Sequence, residues 1–110
     1  MKIEEVFARR RFIMLDGAMG TQLQLRGLTT EQKPELAAFI MPDVLTAVHR
    51  DYARAGADIL LANTFGANPR KLKGTGYTVQ QVIEASIACA RTAAQETGAL
   101  VALDIGPIGE

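Results

Sequence analysis

Three short apolar runs limit most strongly how this chain can fold: Phe12-Ile13-Met14-Leu15, Ile59-Leu60-Leu61-Ala62 and Leu100-Val101-Ala102-Leu103. None alternates apolar with polar residues. A strand with one wet face would alternate, because successive side chains point to opposite faces; unbroken runs are the pattern of strands covered on both faces in a parallel sheet. Each run leads into a polar turn bearing glycine: Asp16-Gly17-Ala18-Met19-Gly20-Thr21, Asn63-Thr64-Phe65-Gly66-Ala67-Asn68, and Asp104-Ile105-Gly106-Pro107-Ile108-Gly109. Parallel neighbours cannot be joined by a hairpin and need crossovers, and helical patterns lie where crossovers are required. Pro42-Asp43 opens a segment with Val44, Leu45, Val48, Tyr52 and Ala55 at helical spacing, and Gly56 suits its C-terminal cap. Thr78 is placed to cap a second helix carrying Val79, Val82, Ile83, Ile87, Ala90 and Ala94 on one broad face, with Gly98 beyond its end. Thr21–Arg26 reads as a short helix, Gly27–Pro34 as a polar loop, Asn68–Leu72 as a further helical turn, and Lys73-Gly74-Thr75-Gly76 as a flexible connector. The order strand, helix, strand, helix, strand predicts an α/β fold with parallel strands. No linker or internal repeat divides it, so residues 1–110 are read as one unit.

Composition excludes several function classes. The 110 residues are 48% hydrophobic, with twelve Lys+Arg balancing twelve Asp+Glu, which describes a globular domain rather than a disordered one. A zero formal charge argues against a nucleic-acid partner, which would call for a basic excess. One cysteine excludes an internal disulfide framework and cannot by itself build a cysteine-rich metal site. No stretch approaches the ~20 apolar residues of a membrane span, and Phe12–Leu15 is shorter than the ~7–15-residue apolar core of a signal peptide. The expectation is a cytoplasmic protein without a membrane partner. Met1–Arg11, with Glu4, Glu5, Arg9, Arg10 and Arg11, reads as a solvated surface helix.

In parallel α/β folds, ligands collect where the carboxyl ends of strands meet the following loops, in open sheets and barrels alike. All three such ends here are polar or glycine-bearing. The first loop lacks the G-x-G-x-x-G of dinucleotide binders and the G-K-[ST] ending of a P-loop, and Asn63 stands where a ribose-binding acid would follow the second strand. Asp16 can instead fix a ligand ammonium or hydroxyl, with Gly17 and Gly20 letting backbone amides approach a carboxylate; capping of a tight turn is the structural alternative. Asn63, Thr64 and Phe65 suit the orientation of a small neutral-polar group, against an Asx-type turn with Phe65 as a core plug. Asp104 follows an apolar strand and needs a partner, either a ligand, a metal or the neighbouring loop. His49 has no second histidine or cysteine at ligand spacing and reads as a surface or partly packed helix residue. Cys89, mid-helix among Ile87, Ala88 and Ala90, reads as a small buried hydrophobe.

Taken together and in order, the Asp16–Thr21 loop, Ala55-Gly56-Ala57-Asp58-Ile59-Leu60 leading into Asn63–Ala67, and Asp104–Glu110 resemble the opening of the homocysteine S-methyltransferase domain family, including the homocysteine domain that begins cobalamin-dependent methionine synthases. The resemblance implies the first three βα units of a (β/α)8 TIM barrel, left incomplete, since such barrels take ~250 residues. It also implies homocysteine as substrate, a zinc ion that holds the homocysteine sulfur as a thiolate, and a methyl donor: methyltetrahydrofolate through cobalamin carried by other domains, or betaine or S-methylmethionine, whose users share the same loops. By position, Asp16 and Gly17 would bind the amino and carboxylate ends of homocysteine, Asn63, Thr64 and Phe65 would line the pocket, and Asp104 with Gly106 would shape it. The family's zinc-binding cysteines lie in later strands and have no counterpart here, so no catalytic or metal-ligating residue is expected in the chain, and by itself it is expected to be inactive. An incomplete barrel leaves strand edges unpaired, which predicts a homo-oligomer joined through those edges. The competing reading is a complete small α/β binding or interaction module without zinc chemistry; continuation of the reading frame into further βα units and a Gly-Gly-Cys-Cys stretch separates the two.

Overall fold

The computed structural model describes residues 3–4 and 13–104. Two of the three expected strands are present at their centres among the described residues: β1 spans Ile59–Leu61 and β2 spans Leu100–Ala102. They pair in parallel, with Ile59 opposite Leu100, Leu60 opposite Val101 and Leu61 opposite Ala102. The first apolar run joins on the other side of β1 through a single parallel bridge, Leu15 to Ile59.

That bridge is short for a local reason. The Asp16 N–H donates to the Ile59 carbonyl at 3.2 Å, and the Asp58 and Ile59 N–H groups both reach the Met14 carbonyl, at 2.7 and 3.3 Å. Beyond these contacts, carboxylates replace backbone carbonyls as acceptors. Met14 N–H donates to Asp58 Oδ2 at 2.9 Å, and Leu61 N–H donates to Asp16 Oδ2 at 3.1 Å. The main chain is thereby released into the loop after Leu15 while the backbone donors stay satisfied.

The excursion from this segment to the first crossover helix is more structured than the sequence suggests. It holds α1 (Gly20–Leu25), a 3-10 turn at Pro34–Leu36, and α2 (Ala37–Ile40). The crossover is then made by α3 (Pro42–Arg54), which has proline at its first turn, as predicted. Gly56 follows it at φ 112°, a backbone conformation that side chains beyond glycine rarely adopt. After β1 come α4 (Pro69–Leu72) and α5 (Val79–Ala94). Thr78 caps α5 as expected, and Gln81 completes a capping box: Gln81 N–H donates to Thr78 Oγ1 at 3.1 Å and Thr78 N–H to Gln81 Oε1 at 2.9 Å.

Helices α3 and α5 pack on each other and cover one face of the sheet. Leu23, Leu28, Ala37, Ala38, Leu45, Val48 and Cys89 form one buried cluster, so Cys89 is a core residue; Ala53, Leu60, Ala93 and Ala94 form a second against the strands. The alanines let α5 approach β1 closely.

One expectation is corrected here. His49 is 0% exposed rather than on the surface or partly packed, and neither ring nitrogen has a hydrogen-bond partner among the described residues. Leu45, Val48 and His49 fall at helical i, i+3, i+4 spacing, so burying the first two buries the third. The expected surface helix at Met1–Arg11, apart from residues 3–4, and the third loop from Ile105 onward lie outside the described residues.

Candidate functional site

A cleft of about 360 Å³ opens at the carboxyl ends of the strands. Its volume falls near the lower end of the ~300–1,000 Å³ typical of small-molecule sites. Asp16, Gly17, Ala18, Met19 and Gly20 form one wall. Leu61, Ala62, Asn63, Phe65 and Gly66 come from the exit of β1, Asp104 from the exit of β2, and Pro34 with Glu35 from the 3-10 turn.

The first wall is held from behind by α3. Tyr52 Oη donates to the Ala18 carbonyl at 2.7 Å, and the ring lies so close to the loop that a Cβ on Gly17 would sit 2.9 Å from Tyr52 Cε1 and Oη. Gly17 is thus needed for close approach, and its φ is not positive. Among the described residues, no acceptor is found for the N–H of Gly17 or Ala18.

Asp16 serves both the fold and the cleft. Its carboxylate accepts the Leu61 N–H while lining the cavity. Burial pushes its pKa above the usual carboxylate value and the nearby Asp104 charge adds to that, while the N–H groups of Leu61 and of Asp16 itself pull the other way.

The residues at the exit of β1 divide their roles. Asn63 lines the cleft, and its Nδ2 donates to the Pro34 carbonyl at 2.6 Å, tying the 3-10 turn over the site. Phe65 is 50% exposed on the cleft wall, not a core plug, with the Lys71 ammonium 5.4 Å from its ring centre. Thr64 is buried and outside the cleft lining; its hydroxyl engages the backbone of Asp104. Asp104 itself lines the cleft, and Gly106 lies outside the described residues.

Two contributors escaped the sequence reading. Glu35 follows a proline in a segment read only as polar loop up to Pro34, yet its carboxylate reaches Gly66, where a Cβ would run into Glu35 Cδ at 2.5 Å. Tyr52 was legible as a helix-face residue but not as the support of the Asp16 loop. The described lining therefore holds three carboxylates, Asp16, Glu35 and Asp104, one aromatic ring and no basic side chain.

Parallel strands covered by helices, with a polar cleft at their carboxyl ends, define the α/β class in which ligands bind beyond the strand ends. Residues 13–110 match the family model described as homocysteine S-methyltransferase, and the chain belongs to that family. It is 38% identical over 97 residues to methionine synthase of Mycobacterium tuberculosis, an alignment covering 81% of this chain and 8% of that protein. It is 31% identical over 114 residues to homocysteine S-methyltransferase of Escherichia coli, covering 92% of this chain and 37% of that one. The metallated crystal structure of the Escherichia coli homocysteine methyltransferase MmuM superposes with a TM-score of 0.85 at 28% identity, covering 97% of this chain and 42% of that chain. The chain thus spans well under half the length of these relatives.

The zinc implied by the family resemblance does not fit the described residues. Among them, no group of three or more His, Cys, Asp or Glu is arranged to hold a metal ion. Cys89 lies in the helical core with its Sγ directed to the Pro42 carbonyl at 3.9 Å, away from the cleft.

Proposed function

We propose that residues 1–110 form the amino-terminal part of a zinc-dependent homocysteine S-methyltransferase domain, corresponding to the first three βα units of its barrel, and that the cleft holds the amino-acid end of homocysteine. The observation that carries this reading is the half-buried Asp16 carboxylate beside Gly17 in a cleft whose described lining includes no basic side chain. Asp16 accepts hydrogen bonds from the substrate ammonium, a charge-assisted contact stronger than a neutral one. The N–H groups of Gly17 and Ala18 meet the substrate carboxylate, and Leu61 and Phe65 supply an apolar wall for the methylene chain. Asp104 and Glu35 add negative potential that favours the ammonium end.

Methyl transfer takes place at the homocysteine sulfur, outside the residues described here. The metal ligands belong to other parts of the barrel, and methylcobalamin with 5-methyltetrahydrofolate is the proposed methyl source, supplied by further domains. On this reading the 110 residues alone bind substrate incompletely and do not turn it over.

The test is kinetic, in the methyltransferase that carries this chain. Asp16→Asn removes a charged acceptor, a loss of about 1.5–3 kcal/mol, and so raises KM for homocysteine by about 10–100-fold while leaving KM for the methyl donor unchanged. An unchanged homocysteine KM removes Asp16 from the site.

A further inference from the structure

We propose that Thr64 is a positioning residue, whose buried hydroxyl holds the main chain of Asp104 and thereby sets the Asp104 carboxylate on the wall of the cleft it shares with Asp16. The last backbone rung between the strands is Ala62 N–H to the Ala102 carbonyl at 2.8 Å. Beyond it the main chain of β1 turns away, with Thr64 N–H folding back to the Ala62 carbonyl at 2.7 Å. The Thr64 side chain then takes the place of the missing strand. Its Oγ1 accepts the Asp104 N–H at 2.9 Å and donates to the Asp104 carbonyl at 2.8 Å. A single hydroxyl thus pairs both main-chain polar groups of one residue, a task that two residues of a neighbouring parallel strand would share.

The position of the hydroxyl is well determined. Thr64 is 5% exposed, and its β-branched side chain has few χ1 options. Valine fills the same space without the hydroxyl, and serine keeps the hydroxyl without the methyl. Asp104 is the residue whose charge adds to the burial effect at Asp16. Glu35 is the other carboxylate lining the cleft, and no basic side chain of the described residues lines it. Thr64 therefore acts on the charge of the site through Asp104 without entering the cleft.

This deepens the homocysteine reading by naming what fixes one wall of the same cleft. Its test needs no ligand, so it stands or falls separately from that reading. In the 110-residue chain, amide exchange at Asp104 and the carboxyl titration of Asp16 are followed by NMR in wild type, Thr64→Val and Thr64→Ser. Thr64→Val should accelerate exchange at Asp104 about tenfold or more, and should lower the Asp16 midpoint by the part that the Asp104 charge adds, burial still holding it raised. Thr64→Ser should restore both. Wild-type behaviour of both quantities in Thr64→Val, or no rescue by serine, overturns the proposal. If Thr64→Val fails to fold, the wild type decides: an Asp104 amide protected from exchange supports the clamp, and an unprotected one overturns it.

Discussion

Lowering the pH from 7 to 4 should destabilise this chain chiefly through one side chain, His49. The ring is 0% exposed within the helical layer, and neither nitrogen has a hydrogen-bond partner among the described residues. Desolvation lowers its pKa from 6.5 to about 4. The folded state keeps the ring neutral while the unfolded chain takes up a proton, so the unfolded state binds more protons between those two values. The contribution of His49 is then fully present above about pH 6.5 and lost as pH falls to about 4. At about 1.36 kcal/mol per pH unit of difference, the loss is about 3 kcal/mol, a large share of the ~5–15 kcal/mol that stabilises a typical domain. Asp16 works in the opposite sense: its folded pKa is raised, so its contribution favours the acid side and fades as pH rises through that raised value. The comparison with His49→Leu removes this and other carboxylate contributions. Urea unfolding between pH 7.5 and 4 should show wild type losing about 3 kcal/mol more than the variant. The variant should also be the more stable at neutral pH by about 1 kcal/mol or more, since two unpaired ring nitrogens leave the core. As the chain has one histidine, its ring proton signals report directly. A ring that titrates near 6.5, or wild type and variant losing stability in parallel, would refute the reasoning.

Other perturbations test the supports of the cleft and the frame. Gly17→Ala drives a methyl group into the Tyr52 ring and should destabilise by about 1–3 kcal/mol, read by urea unfolding; a neutral result would mean that the loop and ring separate freely. Tyr52→Phe keeps the packing but loses the bond to the Ala18 carbonyl, with an expected cost of about 1 kcal/mol and faster exchange in the Asp16–Ala18 loop. Thr78→Ala breaks the capping box of α5 and should cost about 1 kcal/mol in thermal or urea unfolding. Met14, Leu15 and Leu103, each about half exposed near the strand ends, support self-association of the isolated chain. Light scattering should report a homo-oligomer at micromolar concentration, and a cooperative, well-folded monomer would count against it.

The parts of the fold that were legible in the sequence are those with a period or a punctuation mark. The unbroken runs at Ile59 and Leu100, the 3.6-residue rhythm of α3 and α5, the proline opening α3 and the Thr78 cap all correspond to elements in the structure. Pro34–Ile40 was not legible, because a 3-10 turn and a one-turn helix are too short to show a period. Glu35 was lost with them, since its role depends on where that turn folds back over Gly66. The burial of His49 was readable from its spacing to Leu45 and Val48, but Arg50 and Asp51 beside it pointed to solvent. Asp16, Asn63, Phe65 and Asp104 were located at strand ends by the rule that ligands gather there. Thr64 reads with them as a neutral hydrogen-bonding side chain at the same strand end, whereas its hydrogen bonds turn it toward Asp104, a residue 40 positions away that sequence spacing could not pair with it.

Binding of L-homocysteine mapped onto the backbone amides is the most direct measurement of the central claim. In the methyltransferase domain containing this chain, labelled for NMR, the account predicts that L-homocysteine shifts the amide signals of Gly17, Ala18 and Leu61 first, and that Asp16→Asn abolishes those shifts at the same ligand concentration. Saturable binding that leaves these amides unmoved, or that survives Asp16→Asn unchanged, would contradict it.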